Sequence, residues 1–171
     1  MRAPFLPPLL VPALLAQAPA KDPSTRKAEA AARLADYITW PQGRPGSPVV
    51  LGVYGSSSVS AALRAFLATP EGHRLNVQLR PLRNLFQVET CDILLICQAD
   101  EDQVAEILKR LRGRPVLTVG DAPGLAESGV MLSFAEAGDR IRFDANLEAA
   151  GRAGLRLSAH LLTRCRIVEA S

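Results

Sequence analysis

Four short apolar segments, each separated from the next by a helical or polar stretch, constrain the fold of this 171-residue chain most strongly. The segments are VVLGVYG at 49–55, NVQLRPL at 76–82, CDILLIC at 91–97 and PVLTV at 115–119. The first is followed by a helical pattern, SVSAALRAFLA, and another helical pattern begins at the acidic run from Asp100. Continuous apolar runs are typical of strands buried on both faces, and strands that alternate with helices need right-handed crossovers. The pattern therefore predicts a mostly parallel central sheet with flanking helices.

Two alternating segments, VMLSF at 130–134 and RIRFD at 140–144, follow the parallel part and are joined by the turn residues 137–139. Alternation places Ile141 and Phe143 on one face and Arg140, Arg142 and Asp144 on the other. We expect an antiparallel hairpin at one edge of the sheet. No linker divides the chain, so the fold class is a single α/β domain, a Rossmann-like sandwich with a C-terminal hairpin.

The C-terminal residues predict two more helices. Asn146 is a candidate cap for a helix that ends before Gly154, and Arg156 falls in an extended turn. Ser158 is a candidate cap for a final helix whose pattern extends to Ile167. At the other end, Ser24 is a candidate cap for the first helix.

Residues 1–20 have the composition of a secretory signal peptide, with Arg2, an apolar stretch at 5–16 and a small-residue cleavage site at Ala18-Pro19-Ala20. The apolar stretch is shorter than the roughly 20 apolar residues that a membrane span needs. The five prolines within residues 1–20 leave a disordered N-terminus open as the alternative. We expect a mature chain of 21–171, with a core of about 25–168, exported from the cytoplasm.

Composition limits the partners and the chemistry. The 20 basic and 17 acidic residues are interspersed and the chain has few aromatic residues, which argues against a nucleic-acid partner. Neither histidine has a partner at metal-ligand spacing, so the sequence predicts no metal site. Nothing places a serine, a histidine and a carboxylate together, so we predict no catalytic residue.

Three cysteines leave at least one thiol unpaired in a monomer. Cys91 and Cys97 lie at opposite ends of one extended segment, beyond the reach of a disulfide. A bridge between Cys97 and Cys165 requires the last helix to cross the end of that strand. The alternative, which we favour, is that all three are small buried apolar side chains.

The loop Gly55-Ser56-Ser57 joins a strand to a helix, a position where backbone N–H groups can bind an anion. The loop lacks the lysine and the further glycines of known phosphate loops. A serine that simply caps the helix is therefore the favoured alternative.

Four C-terminal arginines are candidates for contact with an acidic partner or a phosphate-bearing ligand, namely Arg142, Arg152, Arg156 and Arg164. A solvated face is the alternative for each. Ser158 lies close to Arg156 and is grouped with it as a candidate contact. Trp40 precedes Pro41 at a helix end, where packing at the core edge is favoured over a partner contact.

Six motifs in register resemble the YfiR family, also called YfiR/HmsC-like, across about 37–168. They are YITWP, VVLGVYG, CDILLI, PVLTVGD with the loop GLAESG, a Met-containing strand with RIRFDANL, and AGLRLSAHLL. Arg156 lies within the last motif. Relatives that bind small ligands near this motif use a histidine, where this chain has Leu157 and Ser158.

The resemblance implies a periplasmic, non-enzymatic protein that represses a membrane-bound diguanylate cyclase by binding its periplasmic domain, which lowers cyclic di-GMP and biofilm formation. It implies no cofactor, and it implies an outer-membrane OmpA-like lipoprotein as a further partner. A free sheet edge leaves a homodimer open. The alternative function is a periplasmic sensor of a nucleotide or an aromatic amino acid, with its pocket between the Gly55 loop and Arg156.

Overall fold

The computed structural model describes residues 21–43, 45–99, 101–135 and 140–169. The predicted signal peptide and the turn at 137–139 lie outside these residues, as does Asp100. In the part that the structure describes, no helix has the length and apolar character needed to cross a bilayer.

The helices are short and most of them join strands. They are α1 (Pro23–Arg33), α2 (Ser58–Leu67), α3 (Pro70–His73), α4 (Glu101–Arg110), α5 (Leu147–Arg152) and α6 (Ala159–Leu162), with 3-10 helices at Leu34–Tyr37 and Leu85–Thr90. The strands are β1 (Ile38–Thr39), β2 (Val49–Tyr54), β3 (Val77–Leu82), β4 (Ile93–Ile96), β5 (Leu117–Gly120), β6 (Leu132–Ala135), β7 (Arg142–Ala145), β8 (Arg156–Leu157) and β9 (Cys165–Ile167).

Seven strands form the main sheet in the order β3-β2-β4-β5-β6-β7-β9. All neighbouring pairs are parallel except β6 and β7, which form the predicted antiparallel hairpin. The mostly parallel α/β sandwich is therefore confirmed.

The C-terminal segment differs from the prediction. The last helix ends at Leu162, and Ile167 lies on β9, which pairs in parallel with β7. The hairpin is thus not at the edge of the sheet. If β7 were the edge strand, the backbone N–H and C=O groups along its outer side would lack partners. Residues Cys165–Ile167 supply those partners. Thr163 and Arg164 form the turn that permits this reversal.

Buried apolar side chains form two clusters, one on each face of the sheet. β4 shows the division, because Ile93 and Leu95 belong to one cluster and Leu94 and Ile96 to the other. Helices α1, α2, α5 and α6 contribute to the first cluster, and α4 contributes to the second. A strand with apolar residues on both faces needs such cover on both sides, which explains its unbroken apolar sequence.

A separate two-stranded ribbon joins the N-terminal and C-terminal parts of the chain. Thr39 of β1 lies opposite Arg156 of β8, and the Ser158 N–H donates a hydrogen bond to the Tyr37 carbonyl at 2.8 Å. Arg156, predicted in a turn, thus lies on a strand. The antiparallel pairing fixes its backbone relative to the end of the first helical region.

Helix caps explain several boundaries. Asn146 caps α5 and Ser158 caps α6, as predicted, while Gly154 follows α5 with φ +74°. The cap of α1 is Asp22 and not Ser24, because the Asp22 carboxylate accepts the backbone N–H groups of Ser24 and Thr25. The pKa of Asp22 is lowered, mainly because the Thr25 hydroxyl donates a hydrogen bond to its carboxylate.

Candidate functional site

A cavity of about 630 Å³ lies between α1, the beginning of β7 and the turn after α6. We call it the arginine cavity, because five of its nine lining residues are arginines. Its lining consists of Arg26, Glu29, Ala30, Arg33, Arg140, Ile141, Arg142, Thr163 and Arg164.

The charges in the arginine cavity are unbalanced. The only carboxylate among the lining residues, Glu29, is paired with Lys21. Arg33 is paired with Glu71. Among the described residues, no carboxylate forms an ion pair with Arg140, Arg142 or Arg164. These three exposed guanidinium groups therefore give the cavity a positive potential.

A smaller apolar recess of about 90 Å³ adjoins the arginine cavity and shares Ala30, Arg33, Ile141 and Arg164 with it. We call it the apolar recess. Its remaining lining is Leu34, Tyr37, Phe143, His160 and Leu161. The rings of Tyr37 and His160 stack with their centroids 5.4 Å apart. The combined site offers cations at its mouth and apolar surface beside them.

The four arginines predicted as one patch are divided among three places. Only Arg142 and Arg164 line the same cavity. Arg152 lies on α5 beside another cavity and pairs with Glu148, its Nη1 lying 2.6 Å from Oε1. Arg156 lies exposed on β8. The four arginines therefore do not line one cavity, because α5 and the ribbon carry two of them.

Asp144 and Arg142 line one cavity, in agreement with the predicted alternation, but Asp144 is buried. Asp144 is 2% exposed, and its carboxylate accepts two hydrogen bonds from Arg166. The Arg166 side chain on the neighbouring strand β9 lies against this carboxylate, which the sequence pattern of one strand does not reveal.

Two arginines on α1 were not among the predicted site residues. Arg26 and Arg33 are seven residues apart, and Glu29 and Ala30 lie between them on the same face of the helix. That spacing is the signal in the sequence that places them on one surface.

Trp40 and Ser158 have structural roles. Trp40 is only 5% exposed, and its Nε1 donates a hydrogen bond to the Pro115 carbonyl at 3.1 Å. It thus packs at the core edge, the interpretation the sequence favoured, and offers a partner little surface. The Ser158 hydroxyl accepts the Leu161 N–H as a helix cap.

The Gly55 loop also has a capping role. Ser57 and Ser60 form a capping box, in which each backbone N–H donates to the other hydroxyl. Gly55 has φ +82°, and a side-chain carbon there would lie 2.1 Å from the Cys97 carbonyl oxygen. The loop is therefore packed against the end of β4, which leaves little room for an anion beside Gly55.

All three cysteines are free thiols. Cys97 follows β4 and Cys165 lies on β9, four strands apart in the sheet, which corresponds to roughly 19 Å at the usual strand spacing. The Cys97–Cys165 disulfide is therefore wrong. Burial raises the pKa of Cys91 and of Cys97 to about 12 and that of Cys165 to about 11. Cys91 and Cys97 are buried, and Cys165 is partly buried.

No group of three or more potential metal ligands occurs within residues 21–43, 45–99, 101–135 and 140–169.

Comparison with known proteins identifies one family. A family model described as YfiR/HmsC-like matches residues 24–165. The match begins in α1 and reaches β9.

Two solved structures share the fold at low sequence identity. One is the ABC domain from Streptococcus pneumoniae in complex with L-Trp, with 12% identity and a TM-score of 0.54. The match covers 86% of this chain and 62% of that one. The other is a conserved domain protein from Vibrio cholerae, with the same identity and TM-score, covering 85% of this chain and 60% of that one. This chain thus spans less than two thirds of either neighbour, and the likeness shows the fold alone.

Proposed function

The chain belongs to the YfiR/HmsC-like family of periplasmic regulators of diguanylate cyclases, and we propose that it represses a membrane-bound cyclase by binding the cyclase's periplasmic domain. The consequence is less cyclic di-GMP and less biofilm. The family is regulatory and not catalytic, so control is exerted through binding.

The extent of the family match is the observation that supports this proposal. Residues 24–165 include α1, the ribbon and almost the whole main sheet. The likeness is therefore not confined to one motif, and the surfaces that the sheet and ribbon build belong to the part of the chain that resembles the family.

We propose the exposed side of the ribbon around Arg156 as the docking surface. Pairing with Thr39 holds the backbone of Arg156, and the buried Trp40 anchors the end of β1 to the core. Among the described residues, no carboxylate forms an ion pair with Arg156. Because the backbone of Arg156 is already held, only side-chain conformational entropy is lost when its guanidinium binds a carboxylate.

Repression follows if the protein binds the inactive conformation of the cyclase more tightly than the active one. A binding partner shifts such an equilibrium only by its difference in affinity for the two states. An effector that weakens docking would release the cyclase. An OmpA-like lipoprotein of the outer membrane is the second partner we propose, acting by competition for this protein.

The proposal has a cellular test and a binding test. Deletion of the gene in a strain that retains the cyclase should raise cyclic di-GMP, and an unchanged concentration would overturn repression. In a pull-down with the purified periplasmic domain of the cyclase, Arg156→Glu should weaken capture about tenfold or more, since it replaces a charge-assisted contact with repulsion. Arg83→Glu, an equal charge change at another exposed position, is the matched control.

Export is tested separately. We propose that residues 1–20 are removed and that the mature protein is periplasmic. Mass spectrometry of the protein from a periplasmic extract should show a chain that begins near Lys21. A chain that retains Met1 and stays in the cytoplasm contradicts the proposal.

The bound L-Trp of the streptococcal neighbour favours a second candidate, a sensor of aromatic amino acids or nucleotides. The pocket expected between Gly55 and Arg156 is a weak location for it, because neither residue lines the arginine cavity, the apolar recess or the cavity beside Arg152. A ligand that binds only the folded state raises the melting temperature. A thermal-shift titration with L-Trp and GMP therefore tests this candidate without the cyclase.

A second copy of this chain is a further proposed partner. Ile167 of the edge strand β9 is 52% exposed, and exposed edges favour pairing with another strand. Light scattering after gel filtration distinguishes a dimer from a monomer, and Ile167→Lys should favour the monomer.

A further inference from the structure

We propose that the arginine cavity and the apolar recess form one binding site for a small phosphate monoester with a short apolar tail. Arg156 lines neither space and the test does not need the cyclase, so this test and that of the proposed function are independent.

The first argument is electrostatic. Arg140, Arg142 and Arg164 converge on one concave surface, and the one lining carboxylate already pairs with Lys21. Like charges placed together repel one another, so a cluster of this kind favours a bound anion. A cleft lined by one sign of charge also concentrates its counter-ions.

The second argument is geometric. The Phe143 N–H donates a hydrogen bond to the Arg164 carbonyl at 3.1 Å, and β7 and β9 pair directly after this point. The backbones that carry Arg142 and Arg164 are therefore fixed relative to each other before a ligand arrives. Planar guanidinium groups in a fixed arrangement bind the oxygens of a phosphate through pairs of hydrogen bonds.

The third argument concerns size and polarity. A volume of about 630 Å³ lies in the range of small-molecule sites, roughly 300–1,000 Å³. The adjoining recess is lined mainly by apolar and aromatic groups and holds about 90 Å³. This is smaller than the roughly 150 Å³ apolar cavity that accommodates benzene. The recess therefore suits a tail of a few carbon atoms, whereas the phosphate stays among the arginines.

The experiment is a calorimetric titration of the purified protein with n-propyl phosphate and with inorganic phosphate at low ionic strength, where charge screening is weak. Both should bind, and n-propyl phosphate should bind more tightly. Each buried methylene contributes about 0.8 kcal/mol, so a tail of this length should gain about tenfold when it is partly buried. If neither compound binds, the proposal is overturned.

Matched variants separate this site from general charge attraction. Arg140→Gln with Arg142→Gln should weaken binding about 10- to 100-fold, since hydrogen bonds to charged groups are strong. Arg64→Gln with Arg83→Gln removes the same charge at exposed positions outside the cavity and should change affinity less than about twofold. Equal losses in the two double variants contradict a specific site.

The apolar recess has its own variant. Ala30 borders both spaces, so Ala30→Leu should fill the recess and abolish the preference for n-propyl phosphate, while inorganic phosphate still binds. Circular dichroism confirms that each variant is folded. If folded Ala30→Leu keeps the preference, the recess does not hold the tail.

Discussion

Arg166 binds the buried carboxylate of Asp144 through two hydrogen bonds, Nε to Oδ1 at 2.7 Å and Nη2 to Oδ2 at 2.9 Å. The two residues lie opposite each other on β9 and β7. The Arg166 side chain is 67% exposed, whereas that of Asp144 is 3% exposed. The pair therefore attaches the edge strand to the sheet, and the Asp144 carboxylate is the main reason that the pKa of Arg166 is raised.

Arg166→Ala should lower the free energy of unfolding clearly, because it leaves the buried Asp144 carboxylate without its arginine partner. Urea denaturation followed by circular dichroism measures the change. The control is Arg152→Ala, whose partner Glu148 is itself exposed, so the expected loss is below about 1 kcal/mol. Similar losses in both variants would show that the Asp144 pair has no special importance for stability.

Trp40→Phe should destabilise the protein by about 1–3 kcal/mol, because the Pro115 carbonyl loses its hydrogen bond donor and the core edge loses volume. The measurement is again urea denaturation followed by circular dichroism, since the variant lacks tryptophan. In the parent protein, the emission of this single tryptophan should shift to longer wavelength on unfolding. Emission already typical of a solvated indole in the native state would contradict its burial.

Gly55→Ala should be among the most damaging single substitutions. It adds the roughly 1–2 kcal/mol cost of a left-handed conformation, and its methyl carbon would lie 2.1 Å from the Cys97 carbonyl oxygen. Gly124→Ala is a matched control, because Gly124 has φ +86° and open space around it. The difference between their melting temperatures measures the effect of the close approach to Cys97. Equal melting temperatures would show that the close approach has no effect.

After the protein is unfolded in denaturant without reductant, a thiol reagent should detect three free thiols. In the native protein, the thiol reagent should react slowly at neutral pH, because burial raises the pKa of each thiol and keeps it protonated. A disulfide between Cys97 and Cys165 would instead leave one titratable thiol.

Alkaline pH should destabilise the fold through the buried thiols. The pKa of Cys91 is about 12 in the folded protein, compared with 9.0 for a free thiol, so the folded state binds more protons between these values. The stabilising effect is thus fully present below about pH 9 and is lost as pH rises towards 12, by about 1.4 kcal/mol for each pKa unit. Cys91→Ser should reduce the slope of unfolding free energy against pH in this range. An unchanged slope would exclude Cys91 as a source.

The sequence was sufficient to predict the central sheet. An unbroken apolar segment such as Ile93–Ile96 is strongly constrained, because each side chain needs cover on one face or the other. Local signals at Asn146 and Gly154 were equally informative, since the cap and the left-handed glycine depend on their immediate neighbours.

The site was much harder to predict. The surroundings of an arginine depend on which distant segments pack beside it. Arg142 and Arg152 lie ten residues apart in sequence yet line different cavities, and Asp144 is bound by Arg166 on a strand that begins at Cys165. The pattern Leu161, Leu162 and Ile167 fits a helix as well as a turn and a strand, so the final strand could not be assigned from periodicity alone.

The small ribbon of β1 and β8 affects the order in which the molecule folds. It pairs Ile38 with Leu157, residues about 120 positions apart, and such distant contacts slow folding because a long loop must close first. The support of Arg156 is therefore completed only when both ends of the chain are present. A fragment truncated before β8 would lack this surface, and a full chain would acquire it late in folding.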